Sequence, residues 1–120
     1  MTTRLRIEGA DLPLLPSAVT SFALLIHEFA TNATKYGALS GDSGTIEIRT
    51  AVIGDMLNLT WTEHVSAVKR PAAAEEGFGS YLVKATVKAL GGEIAHEWAD
   101  TGVTIRLTAA LRYVQAENSA

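Results

Sequence analysis

Hydrophobic and polar residues alternate along several short segments of the chain and follow a helical period along two longer ones. Alternation is typical of strands, whose successive side chains point to opposite faces of a sheet, and it predicts strands over residues 4–8, 45–53, 56–63, 93–98 and 103–109. The helical period predicts helices over residues 17–36 and 77–90. This order predicts an α+β fold, a two-layer α/β sandwich with a mixed, mostly antiparallel sheet and helices on one face.

Turn and capping residues mark the ends of these segments. Ser17 is expected to cap the first helix, and Gly37 is expected to end it. Residues 65–76 show no clear period of either kind, which predicts a loop of a length that usually carries function. One domain is therefore expected over residues 1–115, followed by a frayed tail over residues 116–120.

The same spacing predicts which face of each helix packs into the core. The first helix should bury the apolar residues that recur at helical spacing, namely Phe22, Ile26, Phe29, Ala33 and Tyr36. The second helix should bury Leu82, Ala85, Ala89 and Leu90.

Composition narrows the class of protein. The 120 residues are 48% hydrophobic, which suits one compact domain, and no interior stretch is long and apolar enough to span a bilayer. Nothing near the N-terminus resembles an export signal, so a cytoplasmic protein without membrane contact is expected. The chain has no cysteine, and its three histidines lack the spacing of a zinc site. A net charge of −3 without a basic block argues against nucleic acid as a partner.

One stripe of the first helix combines an acid, an amide and a cation. Glu28, Asn32 and Lys35 fall at i, i+4 and i+7, within a sector of about 60°. Asn32 could give Mg²⁺ an amide oxygen, Lys35 could meet a phosphate, and Glu28 could orient a water or a neighbouring side chain. His27, at the edge of the stripe, is either a chemical group or a hydrogen-bonded structural residue. The stripe therefore suits a magnesium-bound polyphosphate, and a solvated helix face is the alternative.

A second candidate group lies where a predicted strand meets the long loop. Glu63 could accept a hydrogen bond there from an exocyclic amine such as that of adenine. Trp61 shares its face of the strand and either packs beside a base or fills the core, with core packing favoured. Thr104 on the last strand could support the acid through its hydroxyl, or could simply be a strand former.

Glycines open the second helix. Gly77 and Gly79 would let the backbone approach a ligand, and a helix N-terminus favours anions. Taken alone, such a pair is more typical of a flexible junction. Lys69 and Arg70 in the preceding loop could close on phosphates or could remain solvated.

Together these motifs resemble the ATP-binding catalytic domain of a sensor histidine kinase of the HWE group, within the Bergerat-fold (GHKL) superfamily. The resemblance lies in the segment from His27 to Ser40, in Trp61-x-Glu63 and in Gly77-Phe78-Gly79. It spans roughly residues 4–111. After Glu63 the group usually continues with a glycine pair and a proline, whereas this chain has His64-Val65-Ser66.

The resemblance implies that ATP and Mg²⁺ bind to this chain. It implies that Asn32 binds magnesium, that Glu63 contacts adenine and that the loop before Gly77 is an ATP lid. It also implies that Gly77 and Gly79 line the triphosphate. Together with the residue chemistry above, the residues expected to contact ATP also include Lys35, Tyr36, Phe78 and Thr104. The residues expected to be catalytic are His27, Glu28 and Lys35.

The resemblance also implies partners. Kinases of this kind deliver the γ-phosphate to a histidine on a separate dimerisation and phosphoacceptor domain, which nothing in this chain resembles. A sensor domain of the same kinase and a downstream response regulator are implied, and the isolated chain is expected to be a monomer. A non-catalytic nucleotide-sensing or docking module, and an ATPase in which Glu28 activates water, are the alternatives.

Overall fold

A computed structural model gives the architecture of residues 5–9, 11–41, 43–65 and 78–116. Within these ranges the elements, in chain order, are β1 (Leu5–Glu8), α1 (Pro16–Tyr36), β2 (Thr45–Ile53), β3 (Met56–His64), α2 (Phe78–Ala89), β4 (Ile94–Ala99), β5 (Gly102–Ala110) and α3 (Leu111–Val114). The predicted α+β class is confirmed. Several predictions fall on residues outside these ranges. They are the predicted loop except Val65, with its Lys69 and Arg70; Gly77, the predicted start of the second helix; and residues 117–120 of the predicted tail.

The described strands form a single sheet in the order β1-β2-β3-β5-β4. β1 pairs with β2 in parallel, and the other neighbours pair antiparallel, so the sheet is mixed and mostly antiparallel as predicted. A parallel pair needs a crossover connection, and α1 supplies it between β1 and β2. The β2–β3 hairpin turns at Gly54, whose φ of 61° lies in the left-handed region that favours glycine.

One face of the sheet is buried beneath the helices. In β3 every second residue from Leu57 to Glu63 is buried, and the residues between them are half-buried. The register aligns these buried positions with the buried positions of β5, from Val103 to Ala109. Residues of α1 and α2 join this face in one hydrophobic core, which confirms the predicted two-layer arrangement.

The start of α1 differs from the prediction. The helix begins at Pro16, its N-cap residue is Leu15, and no side chain caps it, so the expected capping role of Ser17 is wrong. Proline suits the first helical position because its φ is already helical and it lacks an N–H that would need a partner. The N–H of Leu15 instead donates to the carbonyl of Val114 at 2.8 Å, which fixes the start of α1 against α3.

The buried face of α1 agrees in part with the prediction. Phe29 and Ala33 are buried as expected, and Leu25, which was not expected, is fully buried. The other residues of the predicted cluster are half-buried: Phe22, Ile26 and Tyr36.

The buried face of α2 agrees with the prediction only in part, because Leu90 is buried as expected and Leu82 is half-buried. The helix and the turn after it bury Val83, Val87 and Leu90, at i, i+4 and i+7. Of the other residues assigned to this face, Ala85 and Ala89 are exposed. Valine buries more apolar surface than alanine, so packing the valines against the sheet gives the larger hydrophobic stabilisation. Among the described residues, no helix has both the length and the hydropathy needed to cross a membrane.

Candidate functional site

The polar stripe of α1 faces away from the core. Asn32 and Lys35 are exposed and Glu28 is half-buried, whereas Phe29 and Ala33 on the other side of the helix are buried. Among the described residues these three polar side chains make no hydrogen bond or ion pair with one another or with a neighbour. The stripe therefore offers an acid, an amide and a cation that the described part of the chain leaves available to a ligand.

Two threonines beside the stripe are already satisfied within the helix. The hydroxyl of Thr31 donates to the carbonyl of His27 at 2.8 Å, and that of Thr34 donates to the carbonyl of Ala30 at 3.0 Å. Such bonds to the preceding turn are the usual solution for threonine in a helix. The protons of these two hydroxyls are therefore used within the helix.

Glu63 is the buried acid of the described chain, with 4% of its surface exposed. Its Oε1 accepts a hydrogen bond from the backbone N–H of Ala38 at 2.9 Å. Its Oε2 accepts a second one from the indole Nε1–H of Trp61 at 2.7 Å. Hydrogen bonds to a carboxylate are short and strong, so these two donors hold both oxygens in fixed positions.

Gly37 lies between the end of α1 and this carboxylate. A Cβ at Gly37 would overlap Glu63 Oε1, so only glycine fits there while Glu63 keeps its position. The N–H of Gly37 closes the helix on the carbonyl of Ala33 at 3.0 Å. Lys35 and Tyr36 immediately precede Gly37 in the chain. The Glu63 carboxylate therefore lies close to the last turn of α1, which carries Lys35.

Trp61 fills the core, the role favoured for it from the sequence. It is 2% exposed, and its ring packs edge-on against Phe29, with ring centroids 5.6 Å apart and an interplanar angle of 61°. An edge-to-face contact at this separation is favourable for aromatic pairs. The same residue also donates to Glu63, so Trp61 joins the core to the candidate site.

Thr104 does not support Glu63 as expected. The register pairs Thr104 with Thr62, whereas Glu63 pairs with Val103. Neighbouring residues of a strand point to opposite faces, so the Thr104 side chain lies on the sheet face away from the Glu63 carboxylate. The expectation that its hydroxyl holds the acid is therefore wrong, and the indole of Trp61 and the amide of Ala38 hold the acid instead.

The remaining candidates lie along α1 or at the start of α2. His27 is exposed beside Glu28, and Tyr36 is the half-buried last residue of α1. Phe78 and Gly79 belong to the first turn of α2, and Gly77 precedes the described part of that helix.

Asn32 can serve a magnesium ion only together with other ligands. No group of three or more His, Cys, Asp or Glu side chains that could hold a metal occurs within the described ranges. Mg²⁺ commonly binds through few protein oxygens and keeps several waters, completing its shell with phosphate oxygens. An exposed amide with no described partner fits that kind of shell.

Sequence reasoning missed the Ala38 N–H as a functional group. A backbone amide carries no signal in the residue type, and the residue type of Gly37 indicates only the end of a helix. The close approach of Gly37 to Glu63 is a tertiary contact, and the sequence offered only the glycine itself as a signal for it.

Comparison with known proteins identifies relatives of the chain. No model of a protein family matches it. It is 34% identical over 107 residues to blue-light-activated histidine kinase 1 of Erythrobacter litoralis, an alignment that covers 88% of this chain and 30% of the relative. It is 35% identical over 106 residues to a blue-light-activated histidine kinase of Rhizobium johnstonii, covering 86% of this chain and 30% of the relative.

Solved structures share the fold. The histidine kinase domain of the Erythrobacter litoralis blue-light-activated kinase matches with a TM-score of 0.77 at 20% identity, over 92% of this chain and 52% of that one. The catalytic domain of histidine kinase ThkA matches with a TM-score of 0.66 at 14% identity, over 90% and 78%. Full-length ShkA in complex with AMPPNP matches with a TM-score of 0.64 at 15% identity, over 96% and 27%.

The fold is that of a histidine kinase catalytic domain. The chain is a homologue of the blue-light-activated histidine kinases and spans about 30% of the length of the curated relatives named above. The resemblance predicted from the sequence motifs is confirmed.

Proposed function

We propose that this chain is the ATP- and magnesium-binding catalytic domain of a two-component histidine kinase. The observation that carries the proposal is the Glu28–Asn32–Lys35 stripe, exposed at Asn32 and Lys35, on a histidine kinase catalytic fold. The stripe ends two residues before Gly37, which packs against the buried carboxylate of Glu63. The complex of ShkA with AMPPNP, an ATP analogue, supports nucleotide as the ligand class.

The stripe would bind the phosphate end of the nucleotide. Asn32 would give the magnesium ion an amide oxygen, and the ion would neutralise phosphate charge when bound. Lys35, one turn further along α1, would meet a phosphate oxygen as a point charge. Gly77, Phe78 and Gly79 are proposed to line the triphosphate at the start of α2, where free N–H groups favour anions.

Glu63 would recognise the base. A carboxylate has about four lone-pair sites, and the two protein donors occupy one on each oxygen, so further acceptor capacity remains. The exocyclic amine of adenine is a donor of the required kind. Tyr36, at the end of α1, is proposed to contribute to the same pocket, and Thr104 is excluded from it because its side chain lies on the other face of the sheet.

The proposed reaction is phosphotransfer to a histidine on another domain. A nitrogen of that histidine would form a bond to the γ-phosphorus, the bond from phosphorus to the β–γ bridging oxygen would break, and ADP would leave. The imidazole would lose a proton, which Glu28 is placed to accept, with His27 beside it. Positioning and charge stabilisation account for most of the catalysis in reactions of this class.

The proposal extends to partners. A dimerisation and phosphoacceptor domain and a sensor domain of the same kinase would act on this domain, and a response regulator would receive the phosphate. We further propose that the domain is cytoplasmic and monomeric in isolation. Light scattering of the isolated chain would test the last point.

A phosphotransfer assay tests the function. The chain is mixed with the histidine-bearing phosphoacceptor domain of a related kinase and ATP labelled at the γ-phosphate. The proposal predicts acid-labile label on the acceptor, and it predicts that Asn32→Ala loses this label while Asn58→Ala retains it. Asn58 is the matched control because it lies in β3 on the sheet face away from α1. ATP binding without transfer to any such acceptor would favour a nucleotide-sensing module instead.

A further inference from the structure

We propose that Trp61 is a positioning residue for base recognition. Its indole N–H would orient the Glu63 carboxylate so that the carboxylate selects adenine, which carries an amine on C6, over guanine, which carries a carbonyl there. This inference rests on the proposed nucleotide-binding function. The proposed role of Trp61 differs from a purely structural one, because the choice between adenine and guanine would depend on its indole N–H and not only on the packing of its ring.

The direction of the indole N–H is fixed by the core. Trp61 is 2% exposed and packs edge-on against Phe29. In the sheet it lies between the buried residues Ile48 of β2 and Ile105 of β5. Protein interiors are close-packed, so a ring enclosed in this way cannot rotate without displacing its neighbours. The N–H therefore keeps its direction towards Glu63 Oε2, 2.7 Å away.

The Glu63 carboxylate is held on its other side as well. Its Oε1 accepts from the Ala38 N–H at 2.9 Å, and a Cβ on Gly37 would overlap this oxygen. A Cβ on Gly102 would overlap the Glu63 carbonyl oxygen, so the backbone of Glu63 is also closely packed. With two donors and the close contact with Gly37, the plane of the carboxylate is set before any ligand arrives.

A fixed acceptor discriminates between purine bases. Both protein partners are N–H donors, so both oxygens act as acceptors and present their remaining lone pairs to a ligand. The amine of adenine can donate to such an oxygen. Guanine carries a carbonyl on C6, where adenine carries its amine. The carbonyl oxygen and the Glu63 oxygen would then face each other as two acceptors without a proton between them. An unpaired polar contact of this kind gives strong discrimination between ligands.

The Trp61→Phe variant separates the N–H from the packing. Phenylalanine keeps an aromatic ring against Phe29 but has no N–H, so Oε2 loses its donor and the carboxylate is held only on the Oε1 side. Binding of Mg-ATP and Mg-GTP would be measured by calorimetry on folded wild type, Trp61→Phe, Glu63→Gln and the double variant. Leu59→Ala is the packing control, because Leu59 is a buried β3 residue outside the hydrogen bonds to Glu63.

The proposal predicts a loss of selectivity. Trp61→Phe should lower the ratio of ATP to GTP affinity by roughly threefold to tenfold, the value of one hydrogen bond. The double variant should lower that ratio no further than Glu63→Gln, and Leu59→Ala should leave it unchanged. An unchanged ratio in Trp61→Phe, or equal binding of ATP and GTP by the wild type, would overturn the inference while leaving nucleotide binding intact. Failure of folded wild type to bind either nucleotide would overturn the proposed function as well.

A spectroscopic measurement decides the matter if Trp61→Phe does not fold. The chain has two tryptophans, so its ¹⁵N-labelled form gives two indole N–H resonances, which Trp98→Phe assigns. Saturation with Mg-ATP should shift the Trp61 resonance, and the shift should be smaller with Mg-GTP. A Trp61 resonance that saturating ATP leaves in place would contradict the proposal.

Discussion

Gly37 packs directly against the carboxylate of Glu63, so closely that a Cβ on Gly37 would overlap Oε1. Gly37 ends α1, and Glu63 lies near the end of β3, 26 positions further along the chain. This contact joins the last turn of the helix that carries Asn32 and Lys35 to the strand that carries Trp61. The residues proposed for phosphate contact and the residue proposed for base contact therefore lie on two elements that pack together at Gly37 and Glu63.

Gly37→Ala should destabilise the fold. The added methyl group would displace the Glu63 carboxylate from one or both of its donors, at a cost of about 1–3 kcal/mol in the free energy of unfolding. Chemical denaturation would measure this loss. Gly41→Ala is the control, because a Cβ there meets no atom within 4 Å and should change stability by about 0.5 kcal/mol or less. Equal stability of the two variants would contradict the packing described here.

The sequence predicted most of the fold because periodicity and turn residues report burial directly. β3 alternates over its whole length, and Gly54 and Gly37 lie where the chain turns or the helix ends. The prediction failed where tertiary packing chose between similar local patterns. α2 buries valines rather than the alanines beside them, and α3 was missed because its four residues are too few to show a helical period.

The sequence predicted which residues could form the candidate site, but it did not predict which of them contact one another. The helical spacing of Glu28, Asn32 and Lys35 follows from the sequence, and the described residues form no hydrogen bond or ion pair with their side chains. The donors to Glu63 did not follow, because one is a backbone amide and the other is a tryptophan that also belongs to the core. Strand register, which the sequence did not give, is what removes Thr104 from the site.

Phe29→Ala should test the aromatic pair beneath the site. Phe29 is 1% exposed and contacts the ring of Trp61, so truncation would leave a cavity and cost about 3–5 kcal/mol of stability. Thermal or chemical denaturation would report the change. Tyr81→Ala removes a ring that is 69% exposed and should have little effect. Comparable losses in the two variants would contradict the assignment of Phe29 to the core.

Lys35→Met should weaken nucleotide binding without weakening the fold. Removing a charged hydrogen bond to a phosphate should lower ATP affinity by about tenfold or more, and GTP affinity by the same factor, because the phosphates of the two nucleotides are identical. Lys35 is exposed, so the free energy of unfolding should change by about 0.5 kcal/mol at most. Lys88→Met, an exposed lysine in the last turn of α2, is the matched control. Unchanged ATP affinity in Lys35→Met would remove Lys35 from the site.

Glu28→Gln should separate binding from chemistry. The amide cannot accept the proton from the attacking imidazole, so the rate of phosphotransfer should fall on the order of a hundredfold while ATP affinity changes little. Glu93→Gln, at an exposed acid before β4, should transfer phosphate at the wild-type rate. A normal transfer rate in Glu28→Gln would assign Glu28 to the solvated helix face. Steady phosphate release without an acceptor, abolished by the same substitution, would favour an ATPase instead.

Calorimetric titration of ATP with and without magnesium, on wild type, Asn32→Ala and Asn58→Ala, tests the central claim most directly. The account predicts micromolar to sub-millimolar binding, roughly −8 to −5 kcal/mol, for the wild type and for Asn58→Ala. Binding should weaken when magnesium is withheld and in Asn32→Ala, because the exposed amide is the protein ligand proposed for the ion. Absence of binding to folded wild type, or equal binding by all three proteins with and without magnesium, would contradict the account.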